Sequence, residues 1–452
     1  MKRKKSRAGV GVEGLQKVRA VSGLGVDREI FGGGMLVVTA EVCNFVFEMI
    51  NPQLYSIDFA PVVWALLGGM LLCMLLIGAV MWPRLRRVSR RVSRNDGFVE
   101  ERLGEIPDGE FPPVSVIVYS HADGHNLRTL LPQILNQDYP AEMEVIVVND
   151  ESADNTQTIV GELEMQYPNL YMTFAPEHSR SLSRRKLAIT LGIKAARFDA
   201  LLLTCGNCRI DSPLWMRAMM RHFIGGRKEV VIGYAEPWGD DEPDNDRRRR
   251  RRAFDTVWQS VRYLSSAMCR RAFMATGYNL AYTRNLFFQH KGFSRTLNLT
   301  YGDDDIFVNE ITTRDNSAVE LSHAARVRSL EHSPAALHDA YRQQRDFTSR
   351  YLPRRAYRMM GLTSLLWWLW PLLGAAAIWL ALPSLIPAVA VVVLGVAFCL
   401  TYSAIWRRCS TALGSRHLFL TVPWLAWSRP LRTLRHRLRG RRYRKSHFTQ
   451  VI

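Results

Sequence analysis

Three uncharged apolar stretches, each longer than 20 residues, constrain the fold of this chain more than any other feature. They cover residues 60–82, 361–382 and 385–406. Each is long enough to cross a hydrocarbon core of about 30 Å as an α-helix. Because one soluble domain rarely contains three such stretches, we expect a membrane protein with three transmembrane helices.

Arginine clusters flank these stretches and predict their orientation. Residues 84–94 contain six arginines and residues 354–358 contain three, while Arg407 and Arg408 follow the last stretch. Basic residues beside apolar spans are typical of cytoplasmic flanks that face anionic headgroups. We therefore expect a multi-pass protein of the bacterial inner (cell) membrane, with the region between the first two spans in the cytoplasm.

The net charge of +19 is compatible with three kinds of partner: nucleic acid, anionic lipid or a phosphorylated substrate. Since the basic residues concentrate beside the apolar spans, we favour a membrane with anionic lipids and expect no nucleic-acid partner. One further run of six arginines, Arg247–Arg252, is either solvated or in contact with anionic headgroups.

Strand and helix patterns alternate between the first two spans. Val114–Tyr119, Val145–Val148 and Ala200–Thr204 are short apolar runs typical of buried parallel strands. Leu127–Asn136 and Lys186–Ala196 have helical patterns. This alternation predicts an α/β domain with a mostly parallel sheet, in which ligands bind beyond the carboxyl ends of the strands.

The chain divides into seven predicted segments. They are an N-terminal extension (1–59), which is non-cytoplasmic or in part precedes the true start; a transmembrane helix (60–82); a basic juxtamembrane linker (83–111); the α/β domain (112–352); transmembrane helices (361–382 and 385–406); and a basic cytoplasmic tail (407–452) with an interfacial segment, His417–Trp427. The seven scattered cysteines favour reduced thiols over a disulfide framework.

The first half of the α/β domain carries motifs of a known family. An apolar strand beginning at Val114 is followed by a Gln-x-Tyr-Pro turn at Gln137–Pro140 and by Val-Val-Asn-Asp-Glu-Ser-Ala-Asp-Asn-Thr, which ends at Thr156. From Val114 to about Tyr351 the chain resembles glycosyltransferase family 2, the inverting enzymes with a GT-A fold. The resemblance implies a Rossmann-like mixed, mostly parallel sheet with flanking helices.

This resemblance also implies a nucleotide-sugar pocket. Asp150 is expected to contact the nucleotide base, since a carboxylate accepts the imide N–H of uracil, and Asp154 is expected to shape the same pocket. Either aspartate would otherwise be a helix cap or a turn former. Lys186, Asn207 and Arg345 complete the predicted nucleotide-sugar-binding set.

The sequence departs from the family at the metal site. The family's Asp-x-Asp motif is replaced by Cys205-Gly206-Asn207, so Asn207 is the remaining oxygen ligand for Mg²⁺ or Mn²⁺, which prefer carboxylates. Three outcomes stay open: a metal-poor site assisted by basic side chains, a metal held by other groups, or impaired catalysis. Cys205 and Cys208 form a CxxC that we interpret as packed thiols and not as a redox or zinc pair.

An acidic triplet, Asp303-Asp304-Asp305, aligns with the family's acceptor-side motif. In the family an aspartate here acts as general base on the acceptor hydroxyl. Aligning Ile306 selects Asp303 as that base, whereas aligning Gly302 selects Asp304. Mutual repulsion would raise at least one pKa in the triplet, although an exposed acidic turn is the alternative reading.

The family's closing Gln-x-x-Arg-Trp motif is eroded to Tyr341–Phe347, which keeps Gln343, Gln344 and Arg345. Arg345 or Arg342 would contact the donor diphosphate, or else occupy a solvated helix face. An eroded motif favours transfer of single sugars over processive synthesis.

Taken together, these motifs predict an inverting glycosyltransferase. It would move a sugar from a UDP- or GDP-linked donor to a hydroxyl of a lipid-linked or cell-envelope glycan acceptor. The alternative is a catalytically impaired, glycosyltransferase-like scaffold of an envelope-assembly complex, which the missing metal carboxylates favour. A processive synthase would need more spans and an intact closing motif.

Overall fold

The computed structural model describes residues 61–150, 154–175, 183–236, 246–269, 271–329, 342, 344–382, 384–415 and 418–440. The predicted N-terminal extension, the end of the basic tail after residue 440, and Tyr341 and Gln343 of the eroded motif lie outside these residues.

A seven-stranded mixed sheet forms the centre of the α/β domain. The strands along the chain are β1 (Val114–Ser120), β2 (Met143–Asn149), β3 (Leu170–Phe174), β4 (Ala200–Cys205), β5 (Cys208–Arg209), β6 (Val230–Ile232), β7 (Ala235–Glu236), β8 (Leu280–Thr283), β9 (Ser317–Val319) and β10 (Val327–Ser329). The main sheet has the order β3-β2-β1-β4-β8-β6-β9, in which only β8 pairs antiparallel to its neighbours. A second sheet has the order β5-β10-β7.

Helices cover both faces of the main sheet and extend to the membrane segments. They are α1 (Pro61–Glu101), α2 (Gly124–Leu135), α3 (Thr156–Glu164), α4 (Arg184–Ala195), α5 (Trp215–Met220), α6 (Asp246–Cys269), α7 (Arg284–Gln289), α8 (Ile306–Ile311), α9 (Arg354–Leu380), α10 (Leu385–Ala412) and α11 (Val422–Gly440). Val116 and Val118 of β1 pack into one core with α2, whereas Ile117 packs into the other core with α4. Because β1 is buried on both faces, its sequence is continuously apolar, and the predicted α/β class is confirmed.

Three helices are long and apolar enough to cross a membrane, as the sequence predicts. They are α1, residues 360–380 of α9, and α10. Helix α1 is longer than its apolar stretch, because it continues through Pro83 and the arginine-rich segment to Glu101. Leu85, Val88 and Val92 recur at helical spacing among these arginines and are buried in the core of the α/β domain. The helix therefore takes up most of the segment expected to be a juxtamembrane linker.

A buried polar network fastens this extension of α1 to the domain. The Asn95 side chain donates hydrogen bonds to Glu320 Oε1 at 2.8 Å and to the Val319 carbonyl oxygen at 3.2 Å. Glu320, whose side chain is fully buried, also accepts from Arg221 Nε and pairs with His222 Nε2, both at 2.9 Å. Asn95, Arg221 and His222 are all distant from Glu320 in sequence, so the network fixes the helix against the domain.

Replacing Glu320 with Gln should lower the free energy of unfolding by about 3 kcal/mol, because it leaves Arg221 buried without its charged partner. Burial alone would raise the pKa of Glu320, but the hydrogen bond from His222 and the charge of Arg221 lower it to about 2. The stabilisation is therefore present above the unfolded-state pKa and is lost as the pH falls towards 2. Thermal unfolding followed by circular dichroism measures both effects.

Glu162→Gln is the matched control for that substitution. Glu162 pairs with Arg128 at 3.0 Å in the open, with both side chains more than half exposed, so its loss should change stability by less than about 1 kcal/mol. Equal destabilisation by the two substitutions would contradict a special role of the buried network.

The arginine run lies in a helix, as do residues 422–427 of the predicted interfacial segment. Arg247–Arg252 lies in the first turns of α6, and Arg252 is buried. Trp424 and Trp427 of the interfacial segment lie in α11 and stack on each other at 5.1 Å. Trp427 also stacks on Trp368 of α9 at 5.0 Å, so α11 packs against α9. Trp424 remains 60% exposed.

Candidate active site

The carboxyl ends of β1, β2 and β4 meet at one edge of the sheet. Ser120 pairs in register with Asn149, and Tyr119 pairs with Cys205. The turns that follow these strands therefore converge, and they carry the aspartates and the Cys-Gly-Asn segment singled out from the sequence. This is the edge where open α/β sheets bind their ligands.

Asp150, the predicted base-binding residue, is buried at this edge. Its carboxylate accepts a hydrogen bond from the Tyr119 hydroxyl at 2.7 Å and one from Arg184 Nε at 2.9 Å. Its backbone oxygen lies 2.8 Å from Nδ1 of His121. A nucleotide that uses this carboxylate would have to share it with Tyr119 and Arg184.

Asp154 holds two helix starts together. Its carboxylate accepts from the backbone N–H of Gly124 at 2.8 Å and from that of Thr156 at 3.2 Å. Burial would raise the pKa of Asp154, but its hydrogen bonds from Thr156 and Gly124 outweigh burial and lower it. This is the capping alternative recognised in the sequence; a role of Asp154 in a nucleotide pocket stays a prediction.

Lys186 was expected to bind the donor, but its ammonium group is hydrogen-bonded to the protein itself. Its ammonium group is buried and donates to the backbone oxygens of Thr296, Leu299 and Tyr301, at 2.6, 3.0 and 2.8 Å. Burial lowers its pKa to about 8. Since three acceptors take up the three donors of an ammonium group, Lys186 anchors the loop that leads to the acidic triplet.

The neighbouring Arg185 faces the site instead. Its Nε donates to Asp303 Oδ2 at 2.8 Å, its Nη2 lies 3.5 Å from Cys205 Sγ, and its Cζ lies 5.0 Å from the centre of the Tyr119 ring. A Cβ at Gly277 would lie 2.6 Å from Arg185 Nη2, so only glycine leaves room for the guanidinium group there. Arg185 thus joins the carboxyl edge of the sheet to the acidic triplet.

The acidic triplet is buried, not an exposed turn. All three aspartates are at most 8% exposed, and Asp305 caps α8 by accepting from the Ile306 N–H at 2.7 Å. Burial and the charges of its two neighbours raise the pKa of Asp304 well above its usual value, and burial raises that of Asp305 to about 6. These raised pKa values agree with the prediction that mutual repulsion raises the pKa of at least one carboxyl group in the triplet.

The eroded closing motif reaches the triplet through Gln344. Gln344 Nε2 donates to Asp304 Oδ1 at 3.2 Å, and the N–H of Gly277 donates to Asp304 Oδ2 at 3.3 Å. Arg345 is half-buried beside it and, with Asp304, acts electrostatically on the hydroxyl of Tyr263. Residues of the motif therefore position Asp304, while Arg342 lies 3.9 Å from Asp255.

The residues at the expected metal position fit a divalent cation poorly. Burial raises the pKa of Cys205 to about 11 and raises that of Cys208 as well, so both thiols are neutral. The Arg185 guanidinium beside Cys205 would repel a second cation. Among the residues that the structure describes, no three His, Cys, Asp or Glu side chains are grouped to hold a metal ion. Two neutral, buried thiols agree with packed cysteines.

Sequence reasoning missed Arg184, Arg185 and Asp123. The two arginines begin α4, where the positive end of the helix dipole disfavours cations. Consecutive basic residues at a helix N-terminus were the available signal. Asp123 lies against Gly206, where an added Cβ would come within 3.0 Å of its carboxylate, and no sequence pattern distinguished it from a turn residue.

The α/β domain places a buried acidic triplet and basic side chains near the carboxyl edge of its sheet. Residues 115–292 match the family described as Glycosyl transferase family 2. This match supports the family resemblance seen in the sequence, and the mixed, mostly parallel sheet agrees with the expected GT-A fold.

Similarity to individual proteins is confined to parts of their sequences. The chain is 39% identical over 64 residues to the probable glycosyltransferase YdaM of Bacillus subtilis, which is 14% of this chain and 15% of that protein. It is 27% identical over 126 residues to the glycosyltransferase AglE of Haloferax volcanii, 28% and 40% of the two chains. The chain thus matches less than half the length of either relative.

One similar solved structure is the mannosyltransferase PcManGT from Pyrobaculum calidifontis in complex with GDP-Man and Mn²⁺. It has 16% sequence identity and a TM-score of 0.45, over 80% of this chain and 99% of that one.

Proposed function

We propose that this chain is an inverting, membrane-anchored glycosyltransferase. It transfers a sugar from a UDP- or GDP-linked donor to a hydroxyl of a lipid-linked or cell-envelope glycan acceptor. The observation that carries the proposal is the Arg185–Asp303 pair, which joins the donor edge of a family 2 domain to a buried carboxylate. The proposed orientation has this domain on the cytoplasmic face of a bacterial inner membrane.

Asp303 is the general base in this proposal. The acceptor oxygen attacks the anomeric carbon, the bond to the nucleoside diphosphate breaks, and Asp303 takes the hydroxyl proton. Its carboxylate accepts a hydrogen bond from Arg185 Nε at 2.8 Å, which fixes its position between the sheet edge and the loop that carries the triplet. Asp304 is less suited, because its raised pKa favours the protonated form. Its contacts to Gly277 and Gln344 make it a positioning residue.

Basic side chains take over the charge neutralisation that a metal supplies in related enzymes. The departing diphosphate gains negative charge as the bond breaks, and charge-assisted hydrogen bonds from guanidinium groups stabilise such a group. Arg185 is placed for this role, with Nη2 directed to Cys205 at the former metal position. We therefore propose transfer that does not depend on a divalent metal.

A donor panel tests this function. The purified full chain would be incubated with UDP- and GDP-linked sugars and with a bacterial membrane lipid extract that supplies acceptor hydroxyls, in EDTA or Mn²⁺. Donor binding and release of the nucleoside diphosphate would both be measured. We expect turnover of at least one donor, unchanged within about twofold by EDTA. Loss of turnover in EDTA with rescue by Mn²⁺ would reject metal independence while keeping the transferase function.

A non-catalytic scaffold is the second candidate. The observation that favours it is the engagement of the Asp150 carboxylate by both Tyr119 and Arg184, alongside the missing metal carboxylates. The same panel separates the two candidates, because a scaffold would neither bind nor turn over any sugar nucleotide.

A further inference from the structure

A basic cleft of about 890 Å³ lies between α1 and α10, apart from the sheet edge that holds the candidate active site. Arg90 and Arg94 of α1 and Arg407 and Arg408 of α10 line it, with Phe419 on the segment that follows α10. The apolar stretch of α10 ends at Trp406, immediately before this pair of arginines. The cleft therefore lies at the depth where a lipid headgroup would meet the protein.

The four guanidinium groups of the cleft are exposed. In the described part of the chain none of the four pairs with a carboxylate. Four like charges on two packed helices repel one another, so an anion bound among them would relieve that repulsion. The planar fork of arginine matches the oxygens of a phosphate group, which it binds bidentately.

An apolar surface leads from the cleft along α10 into the apolar stretch. Ala404 lines the cleft, and Leu400 and Val396 follow it at intervals of four residues, so the three side chains share one face of the helix. Leu400 is 46% exposed and Val396 is 53% exposed. A phosphate in the cleft and an acyl chain along this face would belong to one ligand.

We propose that the cleft binds the phosphate headgroup of one anionic phospholipid, from the leaflet that faces the α/β domain, with an acyl chain along the Ala404 face of α10. Basic pockets between membrane helices bind anionic headgroups in this way. The inference requires that the helices span a membrane, but it requires no transferase activity. It differs from general attraction to a charged bilayer because it predicts a single bound lipid.

Native mass spectrometry of the full chain, delipidated in neutral detergent, tests the proposal with phosphatidylglycerol and phosphatidylcholine as probes. We expect one phosphatidylglycerol to bind and phosphatidylcholine to bind at least about tenfold more weakly. The double substitution Arg90→Gln and Arg407→Gln should weaken phosphatidylglycerol binding by about tenfold or more. Should that variant fail to fold, Arg94→Gln with Arg408→Gln removes the same charge from the other half of the cleft.

Arg86→Gln with Arg87→Gln is the matched control, since both residues are exposed on α1 outside the cleft. The control should keep its phosphatidylglycerol affinity within about twofold. Equal weakening in the cleft and control variants, or no preference for phosphatidylglycerol, would overturn the proposal. Displacement of the lipid by millimolar inorganic phosphate or pyrophosphate would also overturn it, because the ligand would then be free phosphate.

Discussion

Replacing Asp303 with Asn should lower kcat by about 10²- to 10⁴-fold, the usual contribution of a general base. The substitution keeps the size of the side chain and removes its ability to take a proton. In the proposed mechanism the donor lies on the other side of Arg185, so its dissociation constant should change by no more than about threefold. Single-turnover kinetics and calorimetric titration with the nucleotide sugar measure the two quantities separately.

Asp304→Asn is the matched comparison for this prediction. The pKa of Asp304 is raised well above its usual value by burial and by its two acidic neighbours, and asparagine resembles the protonated carboxyl group in shape and charge. We therefore expect less than about a tenfold loss of kcat. The reverse ranking, with Asp304→Asn inactive and Asp303→Asn active, would assign the base to Asp304 and reject the present assignment.

Replacing Arg185 with Gln should weaken binding of the nucleotide sugar by about tenfold to a hundredfold. A hydrogen bond to a charged group contributes about 1.5–3 kcal/mol, and the guanidinium lies 3.5 Å from Cys205 Sγ, where the family's metal site is expected. Calorimetric titration in EDTA measures the donor affinity directly, before any proton transfer. Because the proposed donor site uses no metal, the loss of donor affinity should be measurable without added Mn²⁺.

Arg128→Gln provides the control, because Arg128 also pairs with a carboxylate but lies on an exposed helix face. It should leave donor affinity unchanged within about twofold. Donor affinity that survives Arg185→Gln in EDTA would show that Arg185 does not carry the charge-neutralising role.

The sequence predicted the parts of the fold that rest on hydrophobic pattern. Residues 114–119, 145–148 and 200–204 all lie within strands of the main sheet, because strands buried on both faces must be continuously apolar. The extension of α1 was harder to predict. Its apolar residues Leu85, Val88 and Val92 alternate with arginines, and only the domain packed against them shows that this face is buried.

The sequence identified the segments that form the site, but it did not identify which of their side chains enter it. Gln344 of the closing motif lies 3.2 Å from Asp304 of the acidic triplet, a contact between two separate motifs that the sequence does not predict. The choice between Lys186 and Arg185, however, depends on the direction in which each side chain leaves the first turn of α4. Residues one position apart on a helix point about 100° apart, so one anchors a loop while the other enters the site. Sequence alone does not give that rotation.

Helix α1 is one uninterrupted helix of 41 residues from the apolar span to the Asn95–Glu320 contact and beyond, a length of about 60 Å. A catalytic domain on a flexible tether samples many heights and tilts above a bilayer, whereas a continuous helix docked at both ends permits few. In the proposed membrane orientation, the acidic triplet is then held at a nearly constant distance from the lipid surface. Acceptors displayed at that height would be selected by geometry before any chemical contact is made.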